Sequence, residues 1–121
     1  MENWKDFVES LSQIECVAAF RVEAFDDWGD DIPITVLFSY FGRGIARRFC
    51  SLSEGERDYV FEKIEAGVTS ENTELAAYVA TGLLEAMYSE AIKNKDLWEK
   101  MENFLQIQSK AYLKSWLEWG G

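Results

Sequence analysis

The chain has 121 residues, 48% of them hydrophobic and 15% aromatic, with 22 acidic against 12 basic residues and a formal charge of −10. That is one domain's worth of chain with enough apolar material for a core, which excludes wholesale disorder. The charge argues against direct binding of nucleic acid, whose phosphates are held by Lys and Arg, and against anionic membrane surfaces.

Trp4, Phe7, Val8 and Leu11 recur at helical spacing, so residues 3–11 read as an amphipathic helix. Residues 14–25 are ambiguous. Phe20, Val22 and Ala24 alternate as in a strand, whereas the alanine-rich spacing favours a helix. The run Asp26-Asp27-Trp28-Gly29-Asp30-Asp31 reads as a loop, because Asp competes for backbone hydrogen bonds and Gly frees the dihedrals. Asp31 as cap and Pro33 in the first turn then open a central helix carrying Leu37, Phe38, Phe41, Ile45 and Phe49. A strand over residues 34–40 competes with it, since β-branched and aromatic residues are dense there. Gly42 and Gly44 weaken the helix and point to close packing or a bend.

Ser53 and Glu56 form a capping box for a helix with Val60, Phe61 and Ile64 on one face, and Gly67 reads as its stop. Asn72-Thr73-Glu74 leads into a long helix to about Ile92, with Leu75, Val79, Leu83, Ala86 and Met87 as its core stripe. Another helix starts near Asp96, and Ser109 is a candidate cap for a last one with Tyr112, Leu113, Trp116 and Leu117. Gly120 and Gly121 read as a frayed end. The expected fold is all-α, one domain over residues 1–121, built as an irregular bundle of six or seven helices or as stacked helical hairpins. No internal repeat is evident.

The chain contains no histidine. That removes Ser-His-Asp, Cys-His and HExxH arrangements, and with them the commonest general base and metal ligand. Cys16 and Cys50 do not form CxxC and are expected as buried free thiols. The four Asp of residues 26–31 do not follow the alternating calcium-loop pattern, and Gly42-Arg43-Gly44 lacks the rest of a phosphate loop. No catalytic residue, cofactor or metal site is therefore expected, and the chain reads as a binder and not an enzyme. No basic, then apolar leader opens the sequence and no run of about 18 apolar residues occurs, which makes the cytoplasm the expected compartment.

Charge is unevenly placed. Residues 1–32 carry nine acids and two bases, residues 33–50 carry three arginines and no acid, and residues 51–121 carry thirteen acids and seven bases. Arg43, Arg47 and Arg48 read either as an anion or acidic-peptide site or, preferably, as ion pairs tying the central helix to acidic neighbours. Asp26, Asp27, Trp28, Asp30 and Asp31 are the candidate partner-binding residues, an aromatic anchor in an acidic rim suited to a basic protein. The competing reading folds Trp28 back onto the core. Trp98, Trp116 and Trp119 read as core residues.

The run Val36-Leu37-Phe38 with Phe41-Gly42-Arg43, the segment Leu52-Ser53 with Glu56-Arg57 and Val60-Phe61, the run Val79-Ala80-Thr81-Gly82-Leu83-Leu84-Glu85-Ala86, Trp98, and Ser109-Lys110-Ala111-Tyr112 with Trp116 together resemble an uncharacterised bacterial family of small acidic helical proteins. That family occurs among the immunity-type genes of polymorphic and contact-dependent toxin systems. The resemblance spans about residues 33–117 and carries no catalytic residues across. It implies a cytosolic immunity protein that binds a cognate toxin domain, with a basic nuclease as the partner that complements the charge. A helical adaptor or regulatory module of another pathway, taking a peptide in an interhelical groove, is the alternative.

Overall fold

The computed structural model describes residues 2–120. Seven helices run among these residues: α1 Trp4–Leu11, α2 Glu15–Trp28, α3 Ile34–Arg48, α4 Glu54–Val68, a long α5 in three consecutive segments (Thr73–Ala77, Tyr78–Leu84, Glu85–Ala91), α6 Lys95–Glu102 and α7 Ile107–Glu118. A 3₁₀ turn, Phe49–Ser51, follows α3. The bundle is all-α, as the periodicity indicates, and no strand occurs among the described residues.

α3 is the central element, and α5 crosses it closely. Gly42 faces the backbone of Leu83, and a Cβ at Gly42 would collide with the Leu83 carbonyl oxygen. The contact is reciprocal, because a Cβ at Gly82 would lie 2.8 Å from Phe38 Cβ and 2.9 Å from the Thr35 carbonyl oxygen. The middle segment of α5, Tyr78–Leu84, is a π-helix, a widened form rarely this long. Its Thr81 hydroxyl donates to the Ala77 carbonyl one turn back at 2.7 Å.

One hydrophobic cluster extends from Phe7 on α1 to Leu113 on α7. Phe7 stacks on Phe38 with ring centroids 5.4 Å apart. Phe49, Phe61 and Phe104 meet in a triad with centroids 5.5 to 6.1 Å apart. Each fully buried Phe contributes about 1.5–3 kcal/mol, so these rings dominate the core. Tyr88 packs edge-on against both Trp98 and Trp116, and all three are half-buried against the core.

Local signals set several boundaries. Asn3 and Asp6 form a capping box for α1, with both cross-bonds near 3 Å. The Ser53 and Glu56 box opens α4 as the sequence indicates, and Asn72 caps α5 through its side chain. Residues 15–25 are helical, with Ile14 as the extended N-cap of α2, and residue 22 resolves the ambiguity: Val22 is 61% exposed while Val17, Phe20 and Ala24 are buried, so the apparent alternation is not a buried strand face.

Four boundaries differ from expectation. Pro33, in extended conformation, is itself the N-cap of α3, and no side chain of Asp31 caps it. Gly67 does not stop α4; the helix continues to Val68, and Gly67 lets Phe7 and Val79 approach to where a Cβ would be 2.8 Å from each. Asn94 caps α6, which starts at Lys95. Ser109 is not the cap of α7: the helix starts at Ile107, and the Glu65 carboxylate of α4 takes the free N–H groups of Gln108 and Ser109 at 2.8 and 2.9 Å. Gly120 lies in a turn with φ +98°, and Gly121 lies outside the described residues.

Candidate protein-binding surface

The acidic run is not a loop throughout. Asp26, Asp27 and Trp28 form the last turn of α2, which ends at Gly29 in the left-handed region, φ +78°. The Gly29 N–H donates to the Phe25 carbonyl at 2.8 Å, satisfying one of the helix's open carbonyls. Asp30 and Asp31 make the turn, and buried Ile32 anchors its far end. The chain stays helical here because Ala24 and Phe25 continue α2's packing beyond the point where local composition turns polar.

All five candidate residues are exposed, and they lie together as a ridge at the C-terminal end of α2. Trp28 is 52% exposed, so it is not folded back onto the core. Tyr40 of α3 joins the ridge, donating its O–H to Asp27 Oδ2 at 2.9 Å. That hydrogen bond to a carboxylate holds the Tyr40 phenol above its ordinary value. The Arg43 guanidinium in turn lies 4.9 Å from the Tyr40 ring centroid and donates to Ser39 Oγ at 3.3 Å.

The electrostatics of the ridge are unbalanced. The C-terminus of a helix carries roughly half a negative charge, and acids there are disfavoured by about 0.3–1 kcal/mol each. α2 has Asp26 and Asp27 in that turn and no basic residue. None of the four Asp joins an ion pair among the described residues. A cationic surface laid against the ridge relieves both the dipole and the mutual repulsion. No cluster of three or more potential metal ligands occurs among the described residues.

The arginines act differently from the preferred expectation of a structural ion-pair group. Among the described residues only Arg47 of the three is paired, to Glu90 at 3.4 Å, and the pair is solvent-exposed on the arginine side. Arg43 stacks on Tyr40, and Arg48 makes no ion pair among the described residues. All three line a groove of about 660 Å³ between α2 and α3, with Cys16, Glu15 and Glu23 opposite.

Other expectations need correcting. Cys16 is half-buried and Cys50 is exposed, so neither is a core thiol. Burial, with Glu56 nearby, pushes the Cys16 thiol up despite Arg48. Trp119 is 89% exposed and not part of the core. Tyr40 is a further ridge residue; its spacing to Arg43 indicates a shared face of α3, but its contact with Asp27 arises only from the pairing of α2 with α3.

No family model, curated protein or solved structure matches this chain. No helix among the described residues is long and apolar enough to cross a membrane.

Proposed function

We propose that this chain is a bacterial immunity protein of the small acidic helical kind it resembles, acting in the cytoplasm to bind and neutralise a cognate toxin domain. The partner is a basic nuclease, occluded by charge complementarity and without catalysis by this chain. The observation that carries the reading is the exposed ridge of residues 26–31. It sets an aromatic anchor among four carboxylates that join no ion pair among the described residues, at the end of a helix whose dipole adds to their charge. Nuclease surfaces are basic because they hold phosphates, so the ridge competes for the same groups. Steering by such a field speeds encounter, as fast neutralisation requires. Co-expression with a candidate basic nuclease toxin domain tests the reading. Growth rescue together with a stable complex supports it, and failure of both sinks it for that pair.

The adaptor reading has one observation in its favour, the groove between α2 and α3. It places binding in the groove and not on the ridge, so substitutions on the ridge separate the two.

A further inference from the structure

The groove between α2 and α3 has a charge pattern that the ridge does not share. Arg43, Arg47 and Arg48 form the α3 wall, and Glu15 and Glu23 stand on the α2 wall. Phe20 and Gly44 lie between them and make the floor apolar. The floor is tight because a Cβ on Gly44 would sit 2.5 Å from the Phe20 ring. Glu56 of α4 also lines the groove.

The two walls are of opposite sign, yet no ion pair within 4 Å bridges them among the described residues. Among the described residues, the one acid that pairs with an arginine of this wall is Glu90, which does not line the groove. The facing charges are therefore held apart by an opening of about 660 Å³, within the usual range of ligand sites.

That pattern selects among occupants. A free dianion such as phosphate meets the arginines but is repelled by Glu15, Glu23 and Glu56. A purely cationic segment meets the reverse problem. An extended peptide turns successive side chains to opposite sides, so one with alternating acidic and basic residues presents carboxylates along one edge and ammonium groups along the other. Arginine forks are suited to receive the carboxylates, two donors at a time.

We propose that the α2/α3 groove is a binding site for an extended peptide segment of alternating charge, its carboxylates toward Arg43, Arg47 and Arg48 and its cationic side chains toward Glu15 and Glu23. The groove adjoins the ridge of residues 26–31 through Tyr40, which lines the groove and donates to Asp27, but its charged walls lie outside the ridge and the proposal does not depend on the partner there being a toxin.

The test uses the full chain and the capped hexapeptide Lys-Glu-Lys-Glu-Lys-Glu, with hexaglutamate, hexalysine and inorganic phosphate as comparisons. Cys16 lies in the groove and serves as a reporter once exposed Cys50 is changed to Ser. The alternating peptide is expected to shift backbone amides of α2 and α3 along the groove and to slow alkylation of Cys16. Arg48→Glu, at an exposed position whose fold is checked by circular dichroism, is expected to weaken that peptide about fivefold or more. Glu23→Lys is expected to shift preference toward hexaglutamate. The proposal is overturned if hexaglutamate, hexalysine or phosphate protects Cys16 as well as the alternating peptide. It is also overturned if Cys16 is not protected at all, or if Arg48→Glu leaves the peptide's affinity unchanged.

Discussion

Glu65 holds α7 onto the bundle, and its removal should be felt well beyond one side chain. Its carboxylate accepts from the Gln108 N–H at 2.8 Å, the Ser109 N–H at 2.9 Å and the Ser109 hydroxyl at 2.8 Å. It is thus an N-cap supplied from another helix, 43 residues away in sequence, at the positive end of the α7 dipole. Loss of an N-cap costs about 0.5–2 kcal/mol, and hydrogen bonds to a charged acceptor about 1.5–3 kcal/mol, with the two overlapping because they describe the same bonds. Glu65 is half-buried and water can replace part of what is lost, so Glu65→Ala is expected to destabilise by about 2 kcal/mol. For a chain of this length that lowers the melting temperature by about 6–10 °C. Glu65→Gln keeps an acceptor but loses the charge, and about 1 kcal/mol is expected. Ser109→Ala should cost about 1 kcal/mol, and the Glu65→Ala, Ser109→Ala double variant should show coupling of about 0.5 kcal/mol or more. Urea denaturation followed by circular dichroism gives all four values. If Glu65→Ala falls within about 0.5 kcal/mol of the parent, the interhelical cap contributes nothing and α7 is held by other contacts.

Three further outcomes follow from the geometry. Gly42→Ala drives a Cβ into the Leu83 carbonyl and should cost about 3 kcal/mol or more, whereas Gly55→Ala, on an open face of α4, should stabilise by about 0.5–1 kcal/mol; the same denaturation series reads both signs. Tyr112, raised by burial and by its hydrogen bond to Glu85, should still be protonated when an ordinary tyrosine at 10.0 is half ionised. Its folded value lies above the unfolded one, so its contribution is complete below pH 10 and is lost as pH rises beyond it, and Tyr112→Phe should abolish that alkaline step in a stability-versus-pH series. Alkylation followed by mass spectrometry should modify exposed Cys50 well before half-buried Cys16, and equal rates would contradict the placement of Cys16 against α3.

Much of the helical pattern was legible because its signals are local. The Ser53 and Glu56 box, the Asn72 cap and the spacing of Leu37, Phe38, Phe41 and Ile45 are each decided within one or two turns of chain. Three of the misread boundaries, at Ser109, at Gly67 and at the end of α2, share a cause, which is that tertiary contacts decided them, whereas the Asn94 cap of α6 is local. α7 begins where Glu65 meets it, and no residue near 107 announces that. Gly67 looks like a terminator in isolation, but the close approach of Phe7 and Val79 uses its missing side chain inside the helix. α2 runs through Asp26 and Asp27 because Ala24 and Phe25 are packed, against the local preference of Asp for turns. The π segment of α5 has no sequence signature that periodicity alone detects.

The candidate site was legible as a composition and not as a shape. Four Asp around Trp28 stand out in the sequence, and their exposure follows from their being the end of a helix and the turn after it. Tyr40 could not be placed beside Asp27 without knowing how α2 and α3 pair. The groove is a stronger case, since Glu15 and Glu23 face Arg43, Arg47 and Arg48 only once the two helices are set side by side.

The ridge of residues 26–31 is the surface proposed to engage a basic partner. The most direct measurement is the affinity of the proposed partner, a basic toxin domain, for this chain and for a variant with Asp26, Asp27, Asp30 and Asp31 all changed to Lys. Reversal of four close charges at about 0.7 kcal/mol each should weaken the complex about 100-fold, with most of the loss disappearing at high salt. Trp28→Ala should weaken it further and without salt dependence. Equal affinity of the parent and the four-Lys variant would contradict the claim.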